Sequence, residues 1–329
     1  MADLHAFGRY TTKFTLDEQT VASLQSAQHH HLFLVFDGVK MGATVAVNGH
    51  TLGQVTDQFL RYKYEVSAAQ GVDLASTTAV NNVTVSFDST IDVGGRFMAC
   101  TGGWDWAPYT DTFNDDAHTF SKGIWKNVYL STVASTAIDH VVPLVMYRGG
   151  YPTSALVDGK HAGFDVHVKV HLTAPDGAKG VLTATPSWTT EPVASNVTLA
   201  AGESTHELVI PADADDVKLW WPANTGGAQP LYSVVVSFQE HGNGDDDDDD
   251  VDDDDAEPTS ASPAIVSTTR KIGFRYVALA TFNDTDPAQV AAGKSKEGTE
   301  GFGMFFRVNG AAIFARGANM IPMEELEGR

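Results

Sequence analysis

From residue 32 onward the chain alternates short apolar runs with turn residues. Leu32-Phe33-Leu34-Val35-Phe36 stops at Asp37-Gly38, Thr44-Val45-Ala46-Val47 stops at Asn48-Gly49, and Leu52-Gly53-Gln54-Val55 resumes. Runs of this length, rich in β-branched and aromatic residues and joined by Asn-Gly, predict hairpin strands. Val83, Val85 and Phe87 alternate with polar residues, as half-buried strands do. Val128-Tyr129-Leu130 continues the pattern. A helical period is hard to find before the last residues.

After Ser131 a second β-region begins. In 164–172, Phe164, Val166, Val168, Val170 and Leu172 form one face, and Asp165, His167, Lys169 and His171 form the other. Two His four apart could share a metal on a helix. On a strand they sit about 13 Å apart, so His167 and His171 read as solvated residues. Further strands are expected at 181–184, 206–210, 231–236, 264–266 and 272–277. Strands at this spacing imply a β-sandwich.

Composition changes this picture at one place. Residues 245–255 hold ten Asp, and removing them takes the formal net charge from −21 to −11. Like charges repel and build no core, so 243–257 is expected to be a disordered insertion at a long hairpin tip, where extra length costs little. A Ca²⁺ loop is a sharper reading, but the spaced ligands and ordering Gly are absent. The remaining acidity argues against nucleic acid and anionic membranes as partners.

Cys100 is the single cysteine among 329 residues, so no intrachain disulfide forms. Nothing beside it suggests an activating base. The start, Met1-Ala2-Asp3-Leu4-His5, has no basic region followed by an apolar run. No stretch approaches the ~18 apolar residues of a membrane span. Neither observation assigns a compartment. Sequons at Asn82, Asn196 and Asn283 matter only in a secreted protein. No cofactor and no metal is expected.

The candidate chemistry lies in Gly102-Gly103-Trp104-Asp105-Trp106-Ala107-Pro108, followed by Gly123-Ile124-Trp125. Trp is costly to expose and wants both packing and an N–H partner. An Asp between two Trp can accept hydrogen bonds from a polar molecule with an apolar face, and a sugar ring fits. From spacing alone, a turn in a β-protein with two core Trp is the favoured reading.

Five segments together carry a resemblance. They are Phe36-Asp37-Gly38 through Asn48-Gly49-His50 with Tyr62-Lys63-Tyr64; the Trp-Asp-Trp segment with Gly123-Ile124-Trp125; Leu219-Trp220-Trp221-Pro222 with Gln229-Pro230-Leu231-Tyr232; Arg270-Lys271-Ile272-Gly273-Phe274-Arg275; and Val308-Asn309-Gly310 with Arg316-Gly317-Ala318-Asn319-Met320-Ile321-Pro322. In this order they resemble glycoside hydrolase family 2, within its β-mannosidase-like and exo-β-glucosaminidase-like branch.

The resemblance implies a mainly β chain. A jelly-roll sugar-binding-type β-sandwich occupies 1–134 and is N-terminally incomplete. An immunoglobulin-like β-sandwich follows at 135–281. Residues 282–329 open a truncated (β/α)₈ barrel. A barrel needs roughly 250 residues, so the two catalytic Glu of retaining hydrolysis, which stand ~5–5.5 Å apart, are expected beyond Arg329. Glu324, Glu325 and Glu327 read instead as an acidic helix start.

The implied substrate-binding residues are Trp104, Asp105, Trp106 and Asn319. Asp105 would take sugar hydroxyls in charge-assisted bonds, and Trp104 would shape the wall. Asn319 would sit at the C-terminal end of the first barrel strand. Family members commonly carry an aromatic after that Asn, and here Met320 replaces it. Trp125, Trp220 and Trp221 are assigned to cores and domain contacts.

The resemblance points to a fragment of a retaining exo-glycosidase acting on terminal β-mannose-type sugars of oligosaccharides or glycoproteins. An exo-β-glucosaminidase, a non-catalytic carbohydrate-binding protein and a purely structural sandwich pair remain as alternatives.

Overall fold

The computed structural model describes residues 8–26, 30–40, 42–88, 90–93, 123–223, 225–241, 265–281, 283–285, 287 and 304–318. The chain divides into two compact units, one built on residues up to Ala134 and one on Ser135–Gly317. Among the described residues no helix is long and apolar enough to cross a membrane. Among the described residues no sheet closes into a barrel.

The first unit contains β1 (Arg9–Phe14), α1 (Glu18–Leu24), β2 (His31–Phe36), β3 (Val39–Lys40), β4 (Ala43–Val47), β5 (His50–Val55), β6 (Tyr62–Glu65), β7 (Asn81–Phe87), β8 (Gly123–Ile124) and β9 (Val128–Val133). Its sheets run β1-β7-β4-β5 and β6-β2-β9, with β3 and β8 as a separate pair. The alternation expected of β4 and β7 is present: Val45, Val47, Val83, Val85 and Phe87 point into the core. Leu34 and Phe36 of β2 meet them from the opposite sheet. β2 is buried along nearly its whole length, which is why its sequence reads as an unbroken apolar run.

Asn48 and Gly49 both have positive φ, as the expected two-residue hairpin turn between β4 and β5 requires. Asn48 also ties down the 70–82 region. Its Oδ1 accepts from Asn82 N at 2.9 Å, and its Nδ2 donates to the Gln70 and Gly71 carbonyls and to Asn81 Oδ1.

The sequence pattern carries no signal for α1. Asp17 caps it, accepting from Thr20 N at 2.7 Å. With seven residues and only Val21 buried, it is too short to write a period into the sequence.

The second unit contains β10 (Ala137–Tyr147), β11 (Phe164–Ala174), β12 (Ala178–Pro186), β13 (Val193–Leu199), β14 (Gly202–Ala212), β15 (Tyr232–Glu240), β16 (Ile265–Ile272), β17 (Val277–Ala280), β18 (Phe305–Val308) and β19 (Ala311–Ile313). Sheets β10-β11-β14 and β13-β12-β15-β16 pack face to face as an immunoglobulin-like sandwich, and β17-β18-β19 form a third sheet. The inward face of β11 is the predicted one, Phe164 through Leu172.

Phe164, Phe238 and Phe274 are fully buried. Each such ring contributes roughly 1.5–3 kcal/mol, whereas a surface pair such as Arg148–Asp165 contributes about 0–1. Burial therefore holds this unit together. At one edge of the sandwich, Arg270 from β16 donates from Nε to the Val141 carbonyl of β10 at 3.3 Å. That contact occupies part of the edge of β10.

One further expectation changes. The strand expected at 272–277 is a break: β16 ends at Ile272, Phe274 makes a lone parallel bridge to Leu219, and β17 starts at Val277. The deeply buried Trp of this unit is Trp188, which carried no motif. Its Nε1 donates to the Pro211 carbonyl at 3.0 Å, and its ring stands edge-on to Phe274 and Tyr232.

Candidate functional site

Trp104, Asp105, Trp106 and Cys100 fall in 94–122, and Asn319 and Met320 in 319–329, so all lie outside the described residues. The Asp run and Glu324, Glu325 and Glu327 also lie outside them. What is described is the framework at the ends of these segments, and each belongs to its own unit.

In the first unit both ends of 94–122 are anchored. At the entry, Asp88 N donates to the Gly42 carbonyl at 2.6 Å, Thr90 folds back onto Asp88 Oδ1, and Val93 is buried. At the exit, Ile124 and Gly123 of β8 pair with Val39 and Lys40 of β3.

The Gly-Ile-Trp motif explains this exit. Trp125 N and Lys126 N both donate to the Gly38 carbonyl. Trp125 Nε1 donates to the Gln58 carbonyl at 3.2 Å, Phe59 meets the indole edge-on, and Lys126 Nζ lies 4.3 Å from the ring centroid. A Cβ on Gly38 would stand 2.7 Å from Trp125 Nε1, so only glycine lets the indole close on this turn. Arg61 Nε holds Asp37 at 2.7 Å beside it. Trp125 thus packs on this turn.

In the second unit the approach to Asn319 starts from the β18–β19 hairpin. Asn309 and Gly310 have positive φ there. Asn309 is fully buried: its Oδ1 accepts from Tyr276 N, and its Nδ2 donates to the Trp220 carbonyl, both at 2.9 Å. Its backbone pairs with Tyr276 and Leu156. Trp220 is half-buried, with the Arg275 guanidinium 4.4 Å from its ring centroid. Trp221 is tied by its backbone to Ala228 and to the Gln229 side chain.

The charged centre of this hairpin is a buried ion pair. Arg307 Nε and Nη2 reach Asp284 Oδ2 and Oδ1 at 2.5 and 2.6 Å, and Nη1 donates to the Gly310 carbonyl at 2.7 Å. Tyr151 OH donates to Asp284 Oδ2 at 2.5 Å. Arg307 holds the Asp284 carboxyl below the usual carboxylate range against the opposing effect of burial. Burial, then the bond to Asp284, pushes the Tyr151 hydroxyl up to about 12. At neutral pH these groups satisfy one another and hold the proton states of a structural cluster. Their task is to fix the hairpin that leads into 314–318, where Phe314 is 84% exposed.

Sequence reasoning missed this cluster. Asp284 and Arg307 are 23 residues apart, and only the Asn309-Gly310 turn signalled that Arg307 belongs to a hairpin.

Comparison with known proteins bears on these units. Residues 8–126 match the family described as "Glycosyl hydrolase 2 galactose-binding domain-like". Beta-mannosidase A of Aspergillus aculeatus is 26% identical over 322 residues, covering 88% of this chain and 30% of that protein. Beta-mannosidase of Bos taurus is 24% identical over 326 residues, covering 90% and 31%. The chain therefore spans about a third of the length of these relatives. The crystal structure of a beta-D-mannosidase from Dictyoglomus thermophilum superimposes with a TM-score of 0.59 at 17% identity, covering 97% of this chain and 34% of that one. An exo-chitosanase from Amycolatopsis orientalis gives 0.56 at 20% identity, covering 95% and 29%. These solved structures share the fold.

Proposed function

We propose that this chain, whose residues 8–126 are a glycosyl hydrolase 2 galactose-binding-like domain, supplies part of the terminal-sugar pocket of a retaining exo-glycosidase. Its substrates are β-mannose-type sugars at the ends of oligosaccharides or glycoproteins. The observation that carries the reading is homology to β-mannosidases along 88–90% of the chain.

Asp105 accepts two hydroxyls of the terminal sugar, in bonds strengthened by its charge. Trp104 and Trp106 supply the apolar wall for the ring face, and Asn319 adds a polar contact from the opening strand of the barrel. Met320 offers no aromatic surface for stacking. The two carboxylates of the double displacement come from polypeptide after Arg329, so the 329-residue chain holds sugar without cleaving it.

The test is an assay of the chain alone, and of the chain with the coding sequence that follows Arg329 in its transcript. p-Nitrophenyl β-mannoside and p-nitrophenyl β-glucosaminide are compared. The expected result is no turnover by the chain alone and preferential β-mannoside hydrolysis by the longer protein. Asp105→Ala should lower kcat/KM of that protein at least about 100-fold, or about 2.7 kcal/mol of transition-state stabilisation. Turnover by the chain alone, or full activity in Asp105→Ala, would refute the assignment.

A further inference from the structure

The outer face of sheet β10-β11-β14 brings together two histidines that are 31 residues apart in sequence. The register sets His140 of β10 directly opposite His171 of β11, with Thr205 of β14 opposite His171 on its other side. A β-bulge between Ile138 and His140 sets the aim of this end of β10. It is pinned by Thr173 Oγ1 donating to Asp139 Oδ2 at 2.5 Å. The two imidazoles stand 6.3 Å apart between centroids and nearly perpendicular, at 78°.

Thr205 Oγ1 lies 2.9 Å from His171 Nδ1. A hydrogen bond at one ring nitrogen orients the ring and commits the other, Nε2, to coordination. Two imidazoles sharing a metal at 2.0–2.1 Å per bond bring their centroids to roughly 5 Å. A small side-chain rotation on an exposed face supplies that change. Asp139 and Glu203 lie one row away on the same face, and both favour a cation, while Lys169 lies one row away on the other side. His167, the histidine already considered beside His171, is engaged with Glu207.

We propose that His140 and His171 form a cross-strand site for a divalent transition-metal ion, with Thr205 as the positioning residue. A bound ion would clip edge strand β10 to β11. Among the described residues no group of three or more His, Cys, Asp or Glu is placed to hold a metal. Water therefore completes the coordination, and the affinity order is that of imidazole donors, with Cu²⁺ above Ni²⁺ and Zn²⁺.

The experiment titrates the full chain with Cu²⁺ in excess Mg²⁺, which occupies sites built from oxygen alone. Binding is read by calorimetry and by electron paramagnetic resonance. The expected result is a tightest site with hyperfine coupling to two imidazole nitrogens. His140→Gln and His171→Gln should each weaken binding at least about tenfold and reduce the coupling to one nitrogen. Thr205→Val should weaken it about 10- to 100-fold with both nitrogens retained. His50→Gln, on the other unit, should leave the tightest site unchanged. Melting without metal checks that each variant folds. Wild-type affinity and coupling in the folded His140→Gln and His171→Gln variants would overturn the site.

Discussion

Arg307 grips Asp284 through two parallel bonds, with 7% and 2% of the respective side chains exposed. A pair buried this deeply is costly to halve, because the remaining charge has no water to turn to. Asp284→Asn should destabilise the chain by about 3–5 kcal/mol, measured by urea unfolding. Replacing both members with apolar residues of similar size should cost clearly less than the single change.

The same pair sets an acid limit. Because the folded-state pKa of Asp284 lies below its unfolded value, near 3.9, the unfolded chain binds the proton more readily. This contribution is fully present above the unfolded pKa and is lost as pH falls through the depressed folded value. Melting temperature below pH 4 should therefore fall less steeply in Asp284→Asn than in the parent chain.

His161 acts in a different window. Burial pushes its pKa down, opposed in order by Asp158, the Val217 carbonyl and Asp215. Its Nδ1 accepts from Gly163 N at 3.1 Å, which requires a ring unprotonated at that atom. The folded state thus prefers the neutral form, and stability is fully present above the unfolded pKa near 6.5. It is lost as pH falls below that value through the lowered folded pKa. Urea midpoints at pH 7.5 and pH 5 should differ more in the parent than in His161→Gln. An equal difference in both proteins would assign the slope to other groups.

Gly49 and Gly310 close the same kind of turn in different surroundings. Both have positive φ, but a Cβ on Gly49 meets nothing within 4 Å, whereas one on Gly310 would overlap the Ser154 carbonyl and crowd Pro152. Gly49→Ala should cost only the left-handed backbone penalty, about 1–2 kcal/mol. Gly310→Ala should cost at least about 3, the same penalty plus a backbone overlap that needs a shift. Equal losses on chemical denaturation would mean that Ser154 yields freely.

Gly38→Ala tests the Trp125 anchor. The added methyl would collide with the indole and displace it from the Gln58 carbonyl. A cost of about 1–3 kcal/mol is expected, with increased hydrogen exchange at the Ile124 and Trp125 amides.

Strands were legible where the core wrote its period into adjacent residues, as in Phe164 through Leu172. The Asn-Gly turns were legible for the same reason, since their chemistry is local. What escaped is non-local. Trp188 has polar neighbours in sequence and becomes a core residue only through Phe274 and Tyr232. Ile272 through Val277 reads as one strand because apolar content does not reveal that Phe274 leaves its ladder for Leu219. Asp284 with Arg307, and His140 with His171, meet only once the strands are paired. The Trp-Asp-Trp segment was conspicuous as chemistry, and the framework that holds its two ends was not.

The hairpin of β15 and β16 carries one more consequence. Eight ladder pairs run from Tyr232–Ile272 to Gln239–Ile265, so the two strand ends are held side by side by the sheet itself. Closing such a connection costs only about 0.6 kcal/mol more for each doubling of its length. The position is therefore a natural place to lengthen or cut the chain: a break within 242–264 would cut no pair of this ladder. The same seam would accept a whole inserted domain.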